Sequence, residues 1–89
     1  MFLKQAELNK VKWAARRGML ELDLILGPYV EQEYMLLSHK DKEAFLLLLE
    51  CEDSDLFAWF LKSTPPSVEH NHIVKKVLEF QHVKLKIIK

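Results

Sequence analysis

Eighty-nine residues leave room for one small domain and exclude a catalytic domain joined to a regulatory one. Thirteen basic against thirteen acidic side chains give no net charge, which argues against a general nucleic-acid binder with its marked basic excess. A hydrophobic fraction of 49% suits a packed core, two Gly and three Pro argue against a turn-rich all-β domain, and one Cys rules out an internal disulfide framework or a thiol cluster for zinc.

In chain order, the opening does not read as an export signal, because Lys4 interrupts the apolar start and polar Gln5, Glu7, Asn9 and Lys10 follow. Gln5 to Arg16 is predicted as a helix with Leu8, Val11 and Ala15 on one face and Trp13 off that stripe. Gly18 suits a helix C-terminus that needs a positive φ. A second helix is expected from Met19 to about Met35, with Met19, Leu22, Ile25, Leu26 and Tyr29 lining one side. Pro28 is awkward inside it, and Gly27-Pro28 reads as a kink rather than a break.

Ser38-His39-Lys40-Asp41 resembles a capping box that opens a third helix, whose apolar face is Ala44, Phe45, Leu48 and Leu49. Asp53 or Ser54 is expected to cap a fourth, rich in Leu56, Phe57, Trp59, Phe60 and Leu61, and Thr64-Pro65-Pro66 ends it. Ser67 is a good cap for a last helix with Ile73, Val77 and Phe80 on its buried stripe. The tail Val83-Lys84-Leu85-Lys86-Ile87-Ile88-Lys89 alternates apolar and basic residues like a strand, yet no partner strand is evident. The expected architecture is all-α, a compact bundle of about five short helices over residues 1–82 with a basic, frayed tail over 83–89. The longest apolar run, Ala44 to Leu49, is far short of the ~20 residues that span a bilayer. No membrane insertion is expected, and a soluble cytoplasmic protein is.

Charge is unevenly spread. Residues 1–20 carry net +4, residues 21–55 net −8 and residues 56–89 net +4. The three segments attract one another within a fold, and the acidic middle can also steer a basic partner.

Nothing reads as catalytic. His70-x-His72 lacks a third nearby ligand, Cys51 lies among Glu50, Glu52 and Asp53, which raise a thiol pKa, and two glycines cannot build a phosphate loop. The pairs Glu31/Glu33 and Asp53/Asp55 are two residues apart and diverge on a helix. No metal and no enzymatic activity are expected. The richest stretch is Trp13-Ala14-Ala15-Arg16-Arg17-Gly18-Met19-Leu20-Glu21-Leu22-Asp23. Arg17 and Glu21 are four apart, but base-before-acid across a glycine is a weak helical pair, ~0.3–0.5 kcal/mol at best. A glycine between two charged groups suits a place where another backbone comes close, with Arg17 gripping a carboxylate or carbonyl by its planar fork and Glu21 accepting from the partner.

Arg17-Gly18-x-x-Glu21, followed by Glu31-x-Glu33-Tyr34 and then Leu48-Leu49-Glu50-Cys51-Glu52-Asp53-Ser54-Asp55-Leu56-Phe57-x-Trp59, resembles the SdhE/YgfY family of succinate dehydrogenase assembly factors over roughly residues 8–80. The resemblance implies a five-helix bundle that binds the flavoprotein subunit of succinate dehydrogenase, and of the related fumarate reductase, and promotes covalent attachment of FAD to a histidine of that subunit. The chemistry then belongs to the partner's flavin, and the small protein positions the reacting groups without a cofactor of its own. Arg17, Gly18 and Glu21 are the implied contacts, with Arg16, Asp23, Glu33, Tyr34, Asp53 and Asp55 as further interface candidates. Trp59 is expected in the core. An antitoxin-like regulatory protein acting on cytoskeletal polymers is the alternative attached to the same family. Direct FAD carriage is disfavoured because no dinucleotide fingerprint is present. A monomer is expected.

Overall fold

In this computed structural model residues 2–88 are described, with side chains for residues 5–83. The chain forms α1 (Phe2–Ala14), α2 (Leu20–Gln32), a 3-10 turn (Tyr34–Leu36), α3 (His39–Leu48), α4 (Asp53–Leu61) and α5 (Val68–Ile88), with no strand among the described residues. Helix α2 is the organising element and packs on α1, α4 and α5, while α5 also covers α3 and α4. The reason is compositional: α2 has the residues to be buried on most of one side, and Leu22, Ile25, Leu26, Tyr29 and Val30 all lie in the core. Phe45 and Leu48 of α3, Leu56 and Phe60 of α4, and Ile73, Val74 and Val77 of α5 close around them. Each such side chain contributes ~1.5–3 kcal/mol by leaving water.

Tyr29 joins three helices at one end of this core, its ring 5.5 Å from that of Phe45 and edge-on to Phe80 at 5.4 Å. Burial pushes its phenol up to about 12, helped by the nearby Glu33 and Asp41 carboxylates, so it stays neutral. Trp59, expected in the core, instead packs against it from a partly buried position, with its ring 5.6 Å from the His70 imidazole.

Local details depart from the expected boundaries. Helix α1 stops at Ala14 rather than Arg16, and Gly18, four residues on, has no positive φ. The conformational reason for a glycine there is therefore absent. Helix α2 runs unbroken through Pro28 but ends at Gln32, and a tighter 3-10 turn replaces its expected last turn. Ser38 does cap α3, its Oγ accepting from the Asp41 N–H at 3.1 Å. The residue at the cap of α4 is Glu52, which makes no side-chain capping bond, so neither Asp53 nor Ser54 fills that role. The backbone of the tail continues α5 as helix to Ile88, not as strand. Expectations for the side chains of 84–89 lie outside the described residues.

Ser63 closes α4 with φ 57°, and the next amide, of Thr64, returns to the Ala58 carbonyl at 3.0 Å. This left-handed conformation costs an L-residue, and glycine adopts it freely. Ser63→Gly is accordingly expected to stabilise the fold by about 0.5–1 kcal/mol, measured as a rise in Tm by circular dichroism.

Candidate functional site

The loop after α1 and the turn between α3 and α4 meet at one end of the bundle, and Arg17 joins them. Its backbone N–H donates to Asp23 Oδ1 at 2.7 Å, which anchors the loop to the first turns of α2. Its guanidinium turns inward, with only 13% of the side chain exposed. One terminal nitrogen donates to the Ala14 carbonyl at 2.8 Å and to the Leu49 carbonyl; the other reaches the Cys51 carbonyl at 3.5 Å. Ala14 ends α1 and Leu49 caps α3, so one cation satisfies carbonyls left unpaired at two helix C-termini, where the helix dipoles also favour positive charge. Asp53, in the first turn of α4, completes the knot at 3.5 Å from the guanidinium.

The expectation that Arg17 grips a partner is corrected by this geometry, because both terminal nitrogens are engaged within the chain and Nε, which has no hydrogen-bond partner, is buried. What it does is fix the surface around it. Gly18 is exposed on that surface, its N–H directed at Asp53 Oδ2 at 3.3 Å. A Cβ at Gly18 would lie 3.6 Å from the same oxygen, an ordinary contact. Glu21 does not pair with Arg17; it is exposed at the start of α2, and Asp55 is exposed two residues beyond Asp53. Glu50 and Glu52 are exposed in the same α3–α4 turn. Gly18 and Glu21 thus sit on an acidic rim that belongs to the −8 middle of the chain.

The profile of a family described as the flavinator of succinate dehydrogenase (Sdh5) matches residues 9–81. The chain belongs to this family. It is 47% identical over 62 residues to a Pseudomonas putida protein named FAD assembly factor SdhE, covering 70% of this chain and 74% of that one. Similarity extends to proteins of the same name from Shewanella oneidensis, 58% identical over 54 residues (61% of this chain, 66% of that one), and from Pseudomonas aeruginosa, 41% identical over 76 residues (84% and 90%).

Within this flavinator fold the remaining interface candidates separate. Asp23 and Asp53 belong to the rim but accept from Arg17 and Gly18, so each is partly engaged. Arg16 is exposed on the neighbouring surface, its guanidinium 5.4 Å from the Trp13 ring centre. Glu33 and Tyr34 lie at the far end of α2, roughly 20 Å away along a 13-residue helix. Tyr34 is 2% exposed, packed 5.8 Å from the Phe45 ring, and is a core residue rather than an interface one. Burial also raises its phenol, with Glu7 adding to the shift. Tyr34 and the partly buried Met35 fill the corner between α2 and α3, while Leu36 is 77% exposed.

Sequence spacing missed one pair. Cys51 Sγ lies 3.3 Å from His70 Nε2, bringing together residues nineteen apart. Its partner histidine in sequence diverges: His72 meets Asp41 at 3.2 Å, and among the described residues no group of three or more His, Cys, Asp or Glu can hold a metal ion. Burial pushes the Cys51 thiol up, with Asp55 and Glu69 adding to the effect and Arg17 opposing it. The thiol is therefore the dominant form at neutral pH, which disfavours nucleophilic chemistry. Iodoacetamide is expected to alkylate Cys51 more slowly in the folded than in the urea-unfolded protein. Because the folded pKa is the higher one, that rate should climb only at pH above the ordinary thiol range.

Proposed function

We propose that this chain docks through its acidic rim on the flavoprotein subunit of succinate dehydrogenase, or of the related fumarate reductase, and promotes covalent attachment of FAD to a histidine of that subunit. The observation that carries the reading is the exposed Gly18–Glu21 edge, held in place by an Arg17 whose own charge is directed inward. Gly18 allows the partner backbone close approach, and Glu21 offers a free carboxylate to a donor on the partner. FAD remains the partner's, and its chemistry forms the bond. The chain acts by restricting how the partner's nucleophile and flavin meet, a contribution that needs no catalytic side chain of its own. No helix among the described residues is long and apolar enough to cross a membrane.

Cells lacking the protein are expected to contain a flavoprotein subunit without covalent flavin, restored by the wild-type chain and scored as in-gel flavin fluorescence. Unchanged fluorescence in the deletion would overturn the reading. Capture of polymer-forming cytoskeletal proteins in place of the flavoprotein would favour the antitoxin-like alternative.

A further inference from the structure

The loop between α1 and α2 has its backbone arrangement set from outside itself. Ala15 and Arg16 still donate to carbonyls of α1, at Val11 and Trp13. Among the described residues the next two amides have no backbone acceptor and turn to side-chain carboxylates. Arg17 N–H goes to Asp23 Oδ1 at 2.7 Å, a local bond, and Gly18 N–H goes to Asp53 Oδ2 at 3.3 Å, on a different helix. The second Asp53 oxygen lies 3.5 Å from the Arg17 guanidinium.

These two Asp53 contacts differ in what depends on them. Without Asp53 the guanidinium keeps the carbonyls of Ala14, Leu49 and Cys51. Gly18 N–H has no other hydrogen bond among the described residues. Glycine has no side chain to restrict its backbone, so an unheld loop gains most freedom there. Glu21 follows three residues on, in the first turn of α2. The Asp53 side chain is 35% exposed, so its bonds compete with water and add little to stability. What they add is order, by selecting one arrangement of the Gly18 backbone.

We propose that Asp53 is a positioning residue for the promotion of flavinylation. It holds the Gly18 amide, and with it the Gly18–Glu21 edge, in the arrangement that the flavoprotein meets. The inference rests on the docking reading above and gives Asp53 a task within it that is neither charge on the rim nor support of the core. That task is to supply a hydrogen-bond acceptor.

Asp53→Ala and Asp53→Asn separate these tasks, because asparagine loses the charge and keeps a carbonyl oxygen for Gly18 N–H. In the free proteins the Gly18 amide proton, followed by NMR, should move upfield and exchange faster with solvent in Asp53→Ala. In Asp53→Asn it should stay near its wild-type position. Both variants should keep a Tm within about 5 °C of the wild type. Covalent flavin in the partner subunit should fall about tenfold or more in Asp53→Ala, as lost orientation of reacting groups does. Asp53→Asn should restore most of it, and cooling should not rescue Asp53→Ala. Wild-type flavin levels in Asp53→Ala would overturn the inference and leave the docking reading standing. Equal loss in both variants, with the Gly18 amide still in place in Asp53→Asn, would overturn it in favour of a direct charge contact with the partner. Recovery of Asp53→Ala on cooling would reduce the residue to a stability role and overturn it likewise. A wild-type chain that fails to raise covalent flavin would sink the docking reading and this inference together.

Discussion

Replacing Arg17 by alanine is expected to lower Tm by about 10 °C or more, the largest effect of any single polar substitution in this chain. The change removes the donor that serves carbonyls of Ala14, Leu49 and Cys51 and leaves Asp53 without its cation. Leaving part-buried acceptors unpaired costs ~1–3 kcal/mol, and a charged partner raises the figure. In a domain of this size each kcal/mol corresponds to roughly 4–8 °C. Arg17→Lys should recover only part of the loss, since one ammonium on a flexible stem cannot fork between two helix ends. Thermal unfolding followed by circular dichroism measures both. Flavinylation by Arg17→Ala should fail at growth temperature and recover only in part on cooling, because the edge keeps Gly18 and Glu21 but loses the guanidinium that holds the loop in place.

Substitutions on that edge should behave in the opposite way. Gly18→Arg and Glu21→Ala are expected to leave stability within about 0.5 kcal/mol of the wild type, as exposed sites generally do. Gly18 has no positive φ to lose and an ordinary contact to gain, and Glu21 is exposed. Both should reduce covalent flavin in the partner subunit by about tenfold or more, Gly18→Arg by filling the space the partner backbone needs and Glu21→Ala by removing an acceptor at a packed interface. Cooling should not rescue either. Wild-type flavin levels in both variants would show that the Gly18–Glu21 edge is not the docking surface.

The fold was legible because helical periodicity and caps are local. Leu22, Ile25, Leu26 and Tyr29 announced the buried side of α2 by spacing alone, and Ser38 announced the start of α3. The candidate edge was read in the same way, from a glycine set between charges. The role of Arg17 was not. Besides the Ala14 carbonyl, the partners of its guanidinium lie 32 to 36 residues away, at Leu49, Cys51 and Asp53, and the local sequence does not foretell that a second helix C-terminus converges there. Tyr34 misled for a related reason: a tyrosine beside acidic residues suits an interface as well as a core corner, and only the placement of Phe45 decides. The strand-like alternation of the tail gave way because an isolated alternating segment has no ladder to join, while a helix satisfies its own backbone.

The central claim, that the flavoprotein meets this chain at the Gly18–Glu21 end of α2 and not at the Glu33 end, is tested most directly by site-specific photo-crosslinking. A photoreactive phenylalanine analogue placed at position 21 should yield a covalent adduct with the flavoprotein subunit on irradiation, and the same analogue at position 33 should yield none. An adduct from position 33 with none from position 21 would contradict the account.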